Sequence, residues 1–166
     1  MRHLTTILLL FPSLSHAFCF DKAGQHYNVD PDLLKAIATQ ESSLNAKATN
    51  DNKNKSGDVV SRDYGLMQIN SSWFKQLSKF NVNKGSVMQP CFNVHLGAWV
   101  LASNFSTHGY NWNSVGAYNA GFKASRQKLR DEYITKIKQH YLNIKYSKNH
   151  PSHSKTLIHQ RRSLIQ

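Results

Sequence analysis

The chain has 166 residues, 40% of them hydrophobic and 18% charged, enough for one globular core and too apolar for a wholly disordered chain. Its net charge of +12 implies an anionic partner, such as a cell-envelope polymer or a lipid surface, the plainer reading being that the charge serves solubility alone. Nucleic acid is not expected as that partner. The aromatics fall on helical stripes rather than among the basic residues, where a strand-binding groove needs them.

Met1-Arg2-His3 precedes an apolar run over residues 4–14 and then Ser15-His16-Ala17, the order of a secretory leader cleaved after Ala17. The run is broken by Thr5, Thr6, Pro12 and Ser13 and falls short of the ~20 residues a membrane span needs. Residues 1–17 therefore read as a signal peptide, leaving a periplasmic or exported protein with no stable membrane anchor. Cys19 and Cys91 both lie beyond that point, and an oxidising compartment lets such a pair close as a disulfide. The cysteines are widely spaced and the nine histidines are scattered, so neither a metal site nor a cofactor is expected.

The first strong helix signal covers residues 33–45. Asp30 is a good N-cap, Pro31 suits the first helical position, and Val29 is placed to staple against Leu34. Leu33, Leu34, Ile37, Ala38, Glu41 and Leu44 recur at helical spacing, which turns Glu41 toward the core. A carboxyl desolvated there has a raised pKa and suits general-acid work; the plainer reading is a surface Glu at the edge of the stripe. Residues 46–62 are polar, without periodicity, and read as a loop.

Ser71 or Ser72 is expected to cap a short helix to about Phe80, and a second loop occupies residues 81–89. Pro90-Cys91 opens a core helix containing Phe92, Leu96, Val100 and Leu101 and stopping at Gly109. Another short helix ends before Gly121. The last runs over residues 124–144 with Leu129, Tyr133, Ile137, Tyr141 and Ile144 on one stripe. No alternating strand pattern is evident, so the fold class expected is all-α. From Lys145 the pattern dissolves, and residues 146–166 read as a basic, disordered tail after a single domain over 18–145.

Three stretches remain unexplained by packing: Gln40-Glu41-Ser42, Tyr64-Gly65-Leu66-Met67-Gln68-Ile69-Asn70 and Ala117-Tyr118-Asn119-Ala120-Gly121. Together, in that order, they resemble the soluble lytic transglycosylase family, over roughly residues 19–133. Phe18-Cys19-Phe20-Asp21 and Pro90-Cys91-Phe92-Asn93 resemble its small branch that accompanies secretion, conjugation and pilus machines. The resemblance implies a lysozyme-like fold. It also implies non-hydrolytic cleavage of peptidoglycan glycan strands between N-acetylmuramic acid and N-acetylglucosamine, leaving 1,6-anhydro ends. The family's catalytic acid maps to Glu41, and its substrate-binding groups map to Met67, Gln68, Tyr118 and Asn119. Secretion or pilus components are further partners it suggests.

Asp63 departs from that pattern. The string from Asp63 to Ser71 also resembles animal c-type lysozymes, in which that Asp is a second carboxylate, so a hydrolytic muramidase using Glu41 and Asp63 is the competing enzyme. A non-enzymatic peptidoglycan-binding assembly factor is the competing class.

Overall fold

The computed structural model describes residues 18–151. The expected leader with its cleavage point, and the tail beyond residue 151, lie outside the described residues. Helix α1 (Phe20–Tyr27) follows Cys19, which is disulfide-bonded to Cys91. No element is expected here from the sequence, because the buried residues of α1 are Ala23 and Gly24, too small to make an apolar stripe. A Cβ on Gly24 would come within 2.6 Å of the Val29 carbonyl oxygen, so the smallness is what lets the chain turn back on itself.

Helix α2 (Pro31–Ser42) begins as expected: Asp30 Oδ1 accepts from the Asp32 N–H at 2.8 Å and Pro31 sits in the first turn. It stops at Ser42, where the next residue is left-handed (Ser43, φ 51°) and closes the helix by donating to Thr39 O. Leu33, Leu34, Ile37 and Ala38 are buried.

The loop expected over residues 46–62 is instead mostly sheet, which corrects that reading. Strands β1 (Thr49–Lys53), β2 (Val59–Tyr64) and β3 (Ile69–Asn70) form an antiparallel sheet in the order β1-β2-β3. Every residue of β1 is polar, so there was no alternation to read. Cross-strand polar pairs hold the sheet instead: Asp51 of β1 lies opposite Arg62 of β2 and bonds its guanidinium, and Asp63 of β2 lies opposite Asn70 of β3. Asn54 Oδ1 accepts from the Ser56 and Asp58 N–H groups at 2.9 Å each and makes the turn.

Helix α3 (Ser72–Leu77) continues as a 3-10 turn (Ser78–Phe80), and a capping box at Asn83 starts α4 (Lys84–Val87) inside the second expected loop. Helix α5 (Pro90–His108) runs between its Pro and Gly109, and α6 (Trp112–Ala120) between Asn111 and Gly121. Asn93 of α5 is wholly buried and ties the chain after β2 in place. Its Nδ2 donates to Tyr64 O and Val87 O, and its Oδ1 accepts from Met67 N–H at 2.7 Å. Gly65 (φ 74°) is pressed against that amide, with 2.5 Å between a notional Cβ and Asn93 Nδ2, which leaves room for glycine alone.

After a 3-10 turn (Ala124–Arg126), α7 (Gln127–Asn149) packs along α2 and α6. Tyr133 and Ile137 are buried, but Leu129 is 51% exposed; the buried place near it is taken by Arg130, which packs over Gly116. The helix also runs past Ile144 to Asn149, beyond the end expected from the apolar stripe. Lys145 and Lys148 both pair with the buried Asp32, Lys145 at 2.9 Å, and the Tyr141 hydroxyl donates to Asp30 Oδ2 at 2.6 Å. These bonds join the last turns of α7 to the first turn of α2. The fold is thus mainly helical with a small sheet, and among the described residues no helix is long and apolar enough to cross a membrane.

Candidate active site

Glu41 sits in the last turn of α2 and lines a cleft of about 470 Å³ together with Asn52, Ser61, Asp63, Gln68, Asn70 and Trp73, and with Tyr118, Asn119 and Arg126. Solvent reaches part of the residue, but burial of the carboxyl pushes its pKa up to about 7. A hydrogen bond from the Tyr133 hydroxyl, 2.5 Å to Oε1, pulls the other way by favouring the carboxylate, and the negative charge of Asp63 pushes up again. Burial wins. Tyr133 is itself buried, and burial and the Glu41 charge raise its pKa well above the usual phenol value, so it stays a donor.

Asp63 comes to the same cleft on β2. The side chain is fixed at both oxygens: Asn52 Nδ2 donates to Oδ2 at 2.8 Å and Asn70 Nδ2 to Oδ1 at 2.7 Å. The three strands thus present one carboxylate between two amides.

Gln68, Tyr118 and Asn119 are brought to the cleft as expected. Gln68 is left-handed (φ 47°) and spends its amide N–H on Gly65 O at 2.9 Å. The Tyr118 hydroxyl donates to Met67 O at 2.8 Å, and burial holds it protonated. Met67 is the exception. It is wholly buried, its side chain fills the space beside Gly97, and only its backbone serves the cleft, through Tyr118; the apolar contact with glycan expected of it is not available from that position.

Sequence reasoning missed Tyr133, which it read as packing on the α7 stripe, and Arg126. It also missed Asn52 and Asn70, though Asn70 closes the motif that begins at Tyr64. Among the described residues no three His, Cys, Asp or Glu side chains converge as a metal would need.

Residues 18–141 match the family model described as "Transglycosylase SLT domain". The chain belongs to the soluble lytic transglycosylase family. Among similar chains, Protein IpgF of Shigella flexneri is 41% identical over 146 residues, covering 87% of this chain and 93% of that one. Invasion protein IagB of Salmonella typhimurium is 38% identical, covering 84% of each. Among solved structures, the lytic transglycosylase Slt of Pseudomonas aeruginosa, an inactive mutant, superposes with a TM-score of 0.56 at 20% identity. That superposition covers 82% of this chain and only 24% of Slt, and at such identity it speaks for the shared fold.

Proposed function

We propose that this lytic transglycosylase cuts the bond between N-acetylmuramic acid and N-acetylglucosamine without water, with Glu41 as its single acid and base. The observation that carries the reading is the desolvated Glu41 carboxyl, pKa about 7, which is protonated in a substantial fraction of molecules at neutral pH. Glu41 gives its proton to the bridging oxygen as the bond from C1 breaks, and N-acetylglucosamine leaves with a free hydroxyl. Positive charge builds at C1 and the ring oxygen. The muramic acid C6 hydroxyl then attacks C1 while the Glu41 carboxylate takes its proton, so the acid is regenerated and the product is the 1,6-anhydro sugar.

Asp63, fixed by Asn52 and Asn70, supplies a stationary negative charge to the cationic stage. Gln68, Tyr118 and Asn119 hold the sugars, and Met67 supports them from the core. The hydrolytic reading draws on Asp63 as well, since a second carboxylate lines the cleft; against it, both Asp63 oxygens are already engaged. Similarity to a protein named for invasion supports a periplasmic role in opening the wall for a secretion, conjugation or pilus apparatus. The domain then begins near residue 18 and includes the whole of α7, whose last turns carry the lysines that pair with Asp32.

Digestion of purified sacculi tests the chemistry. Ends about 18 Da lighter than hydrolysed ones, the mass of the missing water, are expected; predominantly reducing ends would favour the muramidase. Release of no fragments at all would favour the binding factor.

A further inference from the structure

We propose that Arg126 is a specificity-determining residue that pairs with a carboxylate on the lactyl-peptide arm of muramic acid, an inference that rests on the peptidoglycan reading above. Three arginines lie among the described residues. Arg62 is paired with Asp51, and Arg130 donates to Asn113, Gly121, Lys123 and Gln127. Arg126 lines the cleft, yet among the described residues its guanidinium has neither an ion pair nor a hydrogen bond. The nearest acid along the chain, Asp131, is engaged by Gln127 Nε2 at 2.8 Å.

The base of this side chain is held. Arg126 ends the 3-10 turn, its N–H donating to Lys123 O at 2.9 Å, and the Arg130 guanidinium grips Gly121 O and Lys123 O at 2.8 and 2.9 Å. A guanidinium on a braced turn has less entropy to lose when it meets a planar anion, which it binds through two parallel hydrogen bonds. Nor does Arg126 tune the acid: the influences on Glu41 are burial, Tyr133 and Asp63.

The remaining lining is carboxylate, amide, hydroxyl and apolar, which suits sugar rings but leaves one cation to be matched. Sugar rings carry no charge. The anions of the substrate sit on the arm at muramic acid C3, as the stem-peptide carboxylates or, where the peptide has been removed, as the lactyl carboxylate itself.

Soluble glycan strands in three forms test the assignment: peptide-bearing, peptide-bearing with carboxylates amidated, and amidase-stripped. Wild-type protein is expected to lose about 10- to 100-fold in kcat/KM on amidation, carried by KM. Arg126→Gln shows a matching loss on unmodified strands, and amidation then costs it nothing further. An Arg126 effect on stripped strands assigns the lactyl carboxylate, and its absence there assigns the peptide. Equal sensitivity of wild type and Arg126→Gln to amidation, or no change in Arg126→Gln, overturns the proposal. Failure of the wild type to release anhydro ends from any form would instead overturn the functional reading beneath it.

Discussion

The Tyr133 hydroxyl donates to Glu41 Oε1 at 2.5 Å, joining α7 to α2 across 92 residues of sequence. That bond favours the carboxylate, so Tyr133→Phe removes an influence that holds the Glu41 pKa down. The pH–rate limb belonging to Glu41 is expected to move to higher pH, with activity at neutral pH falling about tenfold from the lost positioning. An unmoved limb would mean that Tyr133 only packs.

Asp63→Asn works in the opposite direction. Removing the charge that pushes Glu41 up shifts the same limb toward acid. The rate falls by about 10- to 100-fold, from loss of the electrostatic term, while the product stays anhydro. Abolition of activity in Asp63→Asn, with reducing ends from the wild type, would establish the two-carboxylate hydrolase.

Glu41→Gln is expected to lose at least ~10²-fold in activity while remaining folded. Stability provides an independent reading. The folded-state pKa is raised from 4.5 to about 7, so the acid's contribution is fully present below 4.5 and is lost as pH rises through 7. Wild type therefore carries a penalty at pH 8 that Glu41→Gln escapes, up to about 3 kcal/mol. Denaturant unfolding at pH 4 and pH 8 measures it. A gain that is equal at both pH values would contradict the titration.

The Cys19–Cys91 bridge closes a loop with a sequence separation of 72, for which restriction of the unfolded chain predicts about 4 kcal/mol of stabilisation. A Cys19→Ser/Cys91→Ser variant is expected to unfold at markedly lower denaturant. Non-reduced mass spectrometry of periplasmic material should show no free thiol.

Truncation after Ile144 removes Lys145 and Lys148 and leaves Asp32, which is 5% exposed, without its cations. Burial alone would raise the Asp32 pKa, but the two lysines together outweigh it and hold it below the usual carboxylate value, so their stabilisation is present at neutral pH and disappears as pH falls through the folded pKa. Lys145→Ala/Lys148→Ala should cost about 1–3 kcal/mol at pH 7 and less in acid.

The helical frame was legible in the sequence because its signals are local. Asp30 and Pro31 start α2, Pro90 and Gly109 bound α5, and Gly121 ends α6, each through a cap or breaker that acts within one turn. The hairpin was not legible, since β1 is stabilised by Asn52, Asp51 and their cross-strand partners rather than by an apolar face. Glu41 stood out for being acidic on an apolar stripe. Tyr133 did not, because a phenol on such a stripe looks the same whether its hydroxyl meets a carboxylate or a packed wall. Met67 was misplaced for a related reason: a motif gives the order of residues, and the backbone turn at left-handed Gln68 decides which side chain faces out.

The bonds joining Asp30 and Asp32 to Tyr141, Lys145 and Lys148 lie at the opposite end of α2 from Glu41, about 16 Å away along the helix axis. They fix the axial register of α7 against α2, and Tyr133 rides on α7. The two lysines and the Tyr133–Glu41 bond thus hold the same pair of helices together at opposite ends of α2.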